Sequence, residues 1–408
     1  MTPMSKTWQI PGRWGALSLL ATVLVLSMTT WFSASAVVPQ LQTEWNLSAR
    51  TASWLTIAVQ LGFVCGALVS SLLNLSDIVS PRHLILGGAI GATLTNLLLI
   101  VAGSVAIGLP LRFLTGLFLA GVYPPALKLM ATWFREGRGT ALGILLGGLT
   151  VGSATPYLVK GLGGLDWHVV IYATSLLTLA GGLIAEFGVS EGPFPFPRAE
   201  FDPRQVRLVF TNRGVRLATL GYFGHMWELY AMWTWFLAFF SESSAYQGTS
   251  GGPLGAYATF AVIGIGGFGC WVGGILGDGW GRTKTAASMM AVSGSCSVLI
   301  GLSFGSPTWL VLFIGLVWGF TVIADSAQFS TITTELADQA YVGTALTLQL
   351  AIGFALSIGP IWLIPVLQDT FGWGWAFAFL APGPVLGMVA MLRLKLLPEA
   401  SHVAEGQG

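Results

Sequence analysis

The chain has 408 residues, of which only 9% are charged and 54% are hydrophobic, and its mean hydropathy is +0.75. Soluble domains carry charge on about a quarter of their residues, so this composition excludes a soluble protein and indicates one embedded in a lipid bilayer. The net charge of +1 says little about partners, and no nucleic acid is expected among them. The three cysteines, Cys65, Cys270 and Cys296, all lie in apolar runs, which indicates neither a disulfide framework nor a metal cluster.

Twelve apolar runs are long enough to cross a bilayer, because a spanning helix needs about 20 apolar residues. These predicted spans lie near residues 14–38, 51–73, 84–103, 106–131, 139–160, 167–187, 215–240, 253–276, 285–304, 308–333, 342–366 and 373–393. Fifteen of the 18 lysines and arginines fall on one side of this arrangement, and the opposite side has only Arg50 and Lys160. The positive-inside rule therefore predicts an integral protein of the bacterial inner membrane with both termini in the cytoplasm.

The chain repeats itself once, at half its length. Gly-Thr-Ala-Leu begins an apolar run at Gly139 and again at Gly343, and each run reaches a proline 17 residues later. Gly-Phe-x-Cys recurs in the same way at 62–65 and 267–270. Two copies of one unit are typical of membrane transporters, whose ligand sites lie between the copies.

The repeat and the spans together predict the domain organisation. Only one long interruption separates the spans, and it is rich in proline and arginine, as a linker would be. We expect an N-terminal six-helix bundle over 1–187, a cytoplasmic linker over 188–214, a C-terminal six-helix bundle over 215–393 and a cytoplasmic tail over 394–408.

Four ionisable side chains lie deep inside predicted spans: Arg112, His225, Glu228 and Asp325. Such residues are costly in lipid and are usually functional. His225 and Glu228 are three residues apart, so they share a helix face, can touch, and could take up and release a proton. Alternatively, Glu228 is a neutral residue that fixes helix packing. Arg112 either has a functional role, attracting an anionic substrate or taking part in coupling, or a structural one, pairing with helix carbonyls or extending to the nearby outer interface.

Other polar and aromatic side chains are candidates for a binding site. Trp227 and Tyr230 in the seventh span, together with the neighbouring Trp233 and Trp235, could line a pocket or face lipid. Asp325 could form an ion pair with the opposite bundle, act at a gate, or cap a helix. Gln349 in the eleventh span is a weaker candidate for lining a cavity, as are Thr29, Thr30 and Ser33 in the first.

Residues 274–284, between the eighth and ninth spans, read Gly-Ile-Leu-Gly-Asp-Gly-Trp-Gly-Arg-Thr-Lys. An acid at such a junction can cap a neighbouring helix, and the bases can pair with carboxylates at other helix ends. The stretch resembles the Gly-x-Leu-x-Asp-Arg-x-Gly-Arg signature of the major facilitator superfamily, matched here at Gly274, Asp278, Gly281 and Arg282. Gly279 stands where the family has its first arginine.

Two further motifs support this resemblance. The family carries a second copy of the signature between spans two and three, where this chain keeps Asp77 and Arg82 but has Ser80 and Pro81 in place of the glycine and the first base. Arg112, followed by Gly116, is similar to the Arg-x-x-x-Gly pattern of the family's fourth helix.

The resemblance implies an all-α polytopic membrane protein with twelve transmembrane helices in two six-helix bundles, and helices one, four, seven and ten around a central cavity. It implies a secondary transporter that works by alternating access, without a cofactor and without enzymatic activity. We expect a small organic or inorganic anion as substrate, contacting Arg112, Trp227, Tyr230 and Gln349. Protons would pass through Glu228, His225 and Asp325, and the two signature copies (Asp77, Arg82, Gly274, Asp278, Gly281 and Arg282) would form a cytoplasmic gate.

Two other functions stay open at this stage. The aromatic seventh span favours a proton-driven exporter of drugs or metabolites. A non-transporting receptor or scaffold would not require buried charges on cavity helices. An enzyme is disfavoured, because the four histidines are scattered and form no set of metal ligands. The expected partners are a small-molecule substrate, protons and the lipid bilayer, and the expected state is a monomer.

Overall fold

The computed structural model describes residues 12–73, 75–134, 137–163, 166–194, 206–248, 253–338 and 341–406. Within these ranges the chain forms helices and connecting turns, with no β-strand. Eleven helical segments have the length and hydropathy to cross a membrane. The predicted all-α polytopic fold is therefore confirmed.

The spans are numbered here in chain order. Spans 1 to 6 are Arg13–Thr30, Ala49–Leu72, Pro81–Val101, Val105–Ala131, Arg138–Leu162 and Trp167–Gly188. Span 7 is a helix of 34 residues, Arg213–Tyr246, whose histidine, glutamate, tryptophans and tyrosines give it a lower hydropathy than the others. Spans 8 to 12 are Leu254–Gly279, Arg282–Leu302, Thr308–Leu336, Val342–Phe371 and Trp373–Lys395.

Several spans are broken where the sequence analysis predicts continuous helices. Span 1 ends in a 3₁₀ turn, Met28–Thr30, and the chain continues through two short helices, Ser33–Ala36 and Val38–Glu44. Span 10 is interrupted at Asp325. Each break leaves backbone carbonyls without helical partners, and inside a bilayer these groups must find donors within the protein.

The internal repeat appears again in how the helices cross. Gly116 of span 4 lies against the carbonyl of Val59 in span 2, and Gly319 of span 10 lies against the carbonyl of Val262 in span 8. Both members of the second pair follow those of the first by 203 residues. A Cβ atom on either glycine would overlap the facing carbonyl oxygen, so these crossings depend on the absence of a side chain.

Span 5 joins the two halves of the chain through glycines on two of its faces. Gly143 and Gly147 approach the backbone of span 8 at Cys270 and Gly267. Gly148 and Gly152 approach the backbone of span 1. Span 2 also lies against span 11, across the same boundary. The boundary between spans 1–6 and spans 7–12 is called the seam below.

Gly319→Ala tests the close crossing of spans 8 and 10. The added methyl group would force the two backbones apart, at a cost of about 1–3 kcal/mol, which exceeds the helix propensity that alanine gains over glycine (about 1 kcal/mol). We expect a melting temperature several degrees below that of the wild type in detergent, followed by tryptophan fluorescence.

Gly264→Ala is the matched control, because its Cβ would meet neighbours only at 3.9 Å or beyond, which is ordinary contact. Its melting temperature should equal or exceed the wild-type value. Equal melting temperatures for the two variants would contradict the role given to Gly319.

Candidate functional site

Six buried aromatic rings meet at the seam, and they are called the seam cluster. They come from both halves of the chain, and each is at most 6% exposed. Their ring centroids lie 4.9 to 6.2 Å apart in contacting pairs. The members are Trp31 and Phe32 just beyond span 1, Phe63 in span 2, Tyr230 and Trp233 in span 7, and Phe354 in span 11.

The cluster lies in the middle of the bundle. Tyr230 is midway along the 34-residue span 7, so about 25 Å of helix extends on either side of it. Its ring stacks on Phe32 at 6.2 Å and on Trp31 at 6.0 Å, which joins the two halves directly. Close by, Ser357 of span 11 donates a hydrogen bond of 2.9 Å to Gln60 of span 2, again across the seam.

Arg112 is fully buried and is held by acceptors of the N-terminal half. Its guanidinium donates to the carbonyls of Thr30 (2.9 Å), Trp31 and Leu55 (3.4 Å). It also donates to Ser33 Oγ at 3.1 Å and to Asn96 Oδ1 at 3.3 Å. The arginine therefore supplies donors to the carbonyls freed where span 1 breaks. Of the two interpretations left open by the sequence, this geometry matches pairing with helix carbonyls.

The polar side chains of span 1 and its continuation belong to the same internal network. Ser33 donates to Asn96 of span 3 at 2.6 Å, and Asn96 donates to Ser175 of span 6 at 2.9 Å. Thr29 donates to the carbonyl of Thr174 in span 6. These contacts fix spans 1, 3 and 6 to one another. Asn96 was not among the predicted site residues, although a single asparagine in an apolar span is a signal that could have identified it.

The ionisable groups of span 7 face different neighbours, so the predicted contact between His225 and Glu228 is not formed. Glu228 is 1% exposed. Its two oxygens accept hydrogen bonds from Ser293 Oγ (2.8 Å) in span 9 and Trp318 Nε1 (2.7 Å) in span 10. The residue thus points into the C-terminal half, among neutral partners.

His225 instead faces the break in span 10. Its Nδ1 lies 2.8 Å from Asp325 Oδ1, although the two groups are not aligned as a hydrogen bond. The ring also packs near Phe329, with centroids 5.7 Å apart. Asp325 therefore contacts His225 within the C-terminal half, and its carboxylate makes no ion pair with the opposite bundle among the described residues.

Of the predicted substrate contacts, only Tyr230 belongs to the seam cluster. Trp227 lies against span 12, where its Nε1 donates to the carbonyl of Phe379 at 3.3 Å. Gln349 accepts a hydrogen bond of 2.8 Å from Thr333 of span 10. The other aromatic members of the cluster were missed, apart from Trp233, which was noted only as a neighbour of Tyr230. No polar residue marks them in the sequence.

The signature residues form a second contact between the halves, at one end of the bundle. Asp278 Oδ2 accepts hydrogen bonds of 3.0 Å from both the backbone nitrogen and the hydroxyl of Thr140, in the first turn of span 5. A carboxylate at a helix N-terminus is stabilised by the unpaired N–H groups and the helix dipole. Gly274 permits the approach, since a Cβ there would crowd the backbone of Gly139.

The turn after span 8 and the base that follows it complete this contact. Gly281 has φ +106°, a conformation that favours glycine. Arg282 then pairs with Asp278 at 3.0 Å and with Glu335 of span 10 at 2.9 Å. In the other copy of the signature, the side chain of Asp77 lies outside the described residues, and Arg82 Nε is buried without a hydrogen-bond partner in the described part of the chain.

Comparison with known families decides the class of protein. The model of the Major Facilitator Superfamily matches residues 20–360. The chain belongs to the major facilitator superfamily. Members of this family are integral membrane transporters rather than enzymes, and the signature at Asp278 predicts this membership.

Three curated relatives are similar over part of the chain. The multidrug efflux pump LfrA of Mycolicibacterium smegmatis is 31% identical over 218 residues, covering 51% of this chain and 42% of that protein. The puromycin resistance protein pur8 of Streptomyces alboniger is 29% identical over 189 residues, covering 42% and 35%. The putative uncharacterized transporter YgaY of Escherichia coli is 28% identical over 163 residues, covering 39% and 40%. The matches span less than half the length of each relative.

Asp278→Asn tests the contact between Asp278 and span 5. The amide keeps the shape of the carboxylate but lacks its charge, which interacts with both the N-terminus of span 5 and Arg282. The contact should lose about 1 kcal/mol or more of stabilisation. We expect the two halves to separate at this end in a larger fraction of molecules, about fivefold. Spin labels at Arg138 and Trp280, both exposed, would report a longer distance by pulsed electron resonance.

Asp369→Asn makes the same chemical change at an exposed site near the end of span 11 and should leave the distance distribution unchanged. Identical distributions for wild type and Asp278→Asn would show that Asp278 does not hold this end closed.

Proposed function

We propose that this chain is a proton-driven exporter of aromatic organic compounds, which bind at the seam cluster and cross by alternating access. The observation that carries the proposal is the seam cluster itself: six aromatic rings from both halves, in the middle of the bundle. Flat rings favour aromatic ligands, because stacked and edge-to-face pairs add about 0.5–1.5 kcal/mol each beyond area burial. Relatives named as a multidrug efflux pump and a puromycin resistance protein support this substrate class.

An aromatic compound fits the geometry better than the small anion expected from the sequence. That expectation rested on Arg112 as the deep cation. Its donors now engage carbonyls and side chains of the N-terminal half, and none of the six members of the seam cluster is charged. We propose that Arg112 positions Trp31 through the backbone carbonyl rather than contacting the substrate.

Proton coupling is proposed to run through the C-terminal half. Glu228 is buried among Ser293 and Trp318, which are neutral. An ionised carboxylate without a cation in such a place costs several kcal/mol. Proton release from Glu228 therefore accompanies the entry of water, and proton uptake accompanies closure. The pair of His225 and Asp325 provides a second proton site, at the break in span 10.

The transport cycle is proposed to follow the family pattern. The bundles of 1–187 and 215–393 move against each other about the seam, joined by the linker 188–214. The distribution of lysine and arginine supports a cytoplasmic location for the end that carries Asp278, for both termini and for the tail 394–408. We propose a monomer in the bacterial inner membrane.

Glu228→Gln tests the coupling. An amide cannot release a proton, so accumulation of labelled puromycin in proteoliposomes driven by a pH gradient should be lost. Exchange of labelled against unlabelled puromycin, which needs no net proton movement, should remain. Full gradient-driven accumulation in the variant would exclude Glu228 as the coupling residue.

Glu242→Gln is the matched control on the same helix. Glu242 accepts a hydrogen bond from Trp373 Nε1 at 2.7 Å, which an amide oxygen can also accept. Gradient-driven accumulation should persist in this variant. If accumulation is lost in Glu228→Gln alone, the cause is the position of Glu228 and not the removal of a carboxylate from span 7 in general.

Arg112→Gln tests the positioning role. Carbonyls left without donors cost about 1–3 kcal/mol each, so the melting temperature should fall by several degrees. Because Trp31 is displaced, affinities for puromycin and for an anionic probe, naphthalene sulfonate, should fall by the same factor. Arg50→Gln, at an exposed position, should change neither quantity. A loss confined to naphthalene sulfonate would restore Arg112 as an anion contact.

A further inference from the structure

Three buried hydrogen-bond donors at the seam have no partner in the described part of the chain: Trp31 Nε1, Trp233 Nε1 and Gln60 Nε2. Their residues are 3%, 0% and 0% exposed. An indole N–H and an amide NH₂ can only donate, and a buried donor without an acceptor costs free energy. Unpaired donors of this kind concentrate at functional sites and need an explanation.

Apart from Trp45, the other buried or half-buried indoles in the described chain are paired. Trp235 donates to the carbonyl of Ile361 at 2.9 Å, Trp318 donates to Glu228, and Trp373 donates to Glu242. Three indole nitrogens are buried without a partner among the described residues, and two of them belong to the seam cluster; the third is Trp45. Two of these three unpaired indole N–H groups thus lie where the aromatic rings of the two halves meet.

We propose that the seam cluster selects uncharged aromatic compounds that carry hydrogen-bond acceptors, such as carbonyl or ether oxygens. The ligand's rings stack among those of the cluster, and its oxygens accept from Trp31, Trp233 and Gln60. This assignment rests on the proposed function and narrows its substrate class. Because all three side-chain groups donate, the ligand has to supply acceptors.

The donors come from both halves of the chain, which makes the recognition depend on the state of the seam. Trp31 and Gln60 belong to the N-terminal half, whereas Trp233 belongs to span 7. A ligand enters when the halves separate the rings, and all three donors reach it only when the halves close around it. The ligand therefore binds most tightly to the closed state. Such a preference is required of any ligand that drives the protein towards closure.

The absence of charge among the members of the seam cluster argues for an uncharged ligand. A charged ligand would lose its hydration without a counter-charge from these residues. Aromatic faces can attract a cation, but the three unpaired groups at the seam are N–H donors, which favour an acceptor over a cation. A cationic probe therefore belongs in the test as the competing outcome.

Binding of three probes to the full chain in nanodiscs tests the assignment. Fluorenone carries one carbonyl oxygen, fluorene has the same ring system without it, and tetraphenylphosphonium is an aromatic cation. Trp31→Phe and Trp233→Phe keep a ring and remove the N–H, and Gln60→Met removes the amide donor. Each probe partitions into lipid equally for all variants, so the ratio of wild-type to variant affinity isolates the donor.

Because the one carbonyl oxygen of fluorenone can accept two hydrogen bonds, we expect two of the three variants to weaken fluorenone binding about five- to tenfold, as loss of one hydrogen bond does. Fluorene binding should change less than twofold in all three variants. Tetraphenylphosphonium should bind more weakly than fluorenone and should not weaken in the variants. Trp235→Phe removes an indole N–H that already has an acceptor, and it should affect fluorenone and fluorene equally.

Equal losses for fluorenone and fluorene, or no loss for either, would overturn the role of the donors. Preferential binding of tetraphenylphosphonium would overturn the uncharged ligand class. Binding of no probe by the wild type would overturn the seam cluster as a ligand site. If instead the fluorenone pattern holds while proteoliposomes show no proton-driven movement of puromycin, the proposed function fails and this inference stands.

Discussion

The arrangement of side chains at the centre of the bundle depends on the break in span 1. The hydrocarbon core offers no water to an interrupted helix, so the carbonyls of Thr30 and Trp31 need donors from the protein. Arg112 supplies them and is held in turn by Ser33 and Asn96. With the backbone fixed this way, the next two side chains, Trp31 and Phe32, project to the seam, where they meet the C-terminal half. The buried cation Arg112 thus positions two rings of the uncharged seam cluster.

The two halves share their helix crossings but differ in their electrostatics. The glycine contacts of spans 2 and 4 recur in spans 8 and 10, so the repeat preserves the backbone frame. Arg112 is buried in the N-terminal half, whereas Glu228 and Asp325 are buried in the C-terminal half. The proposed proton sites therefore lie to one side of the seam, and the proposed ligand site lies at the aromatic rings between the halves. The signature at Asp278 closes the seam at a different level, through the end of span 5.

The sequence predicted the features that follow from the composition of a segment or from a local motif. Hydropathy identified the spans, and the pattern around Asp278 predicted a contact with a neighbouring helix end. The sequence did not predict which faces meet. Phe63 and Phe354 look like lipid-facing aromatics, because burial between helices and exposure to lipid favour the same side chains. The break in span 1 was hidden too, since no proline or glycine marks residues 28–32. His225 and Glu228 share a spacing that permits contact, but the partners offered by spans 9 and 10 separate them.

In the proposed mechanism, span 7 connects the ligand and the proton, because its neighbouring residues face different parts of the protein. Tyr230 lies in the seam cluster, and Glu228, two residues earlier, accepts hydrogen bonds from spans 9 and 10. Residues two apart on a helix point to nearly opposite sides, so no direct contact between ligand and proton is needed. A shift of span 7 that opens the rings for a ligand also moves Glu228 relative to Ser293 and Trp318. By linkage, the factor by which a bound ligand then changes the proton affinity of Glu228 equals the factor by which proton binding changes the ligand affinity.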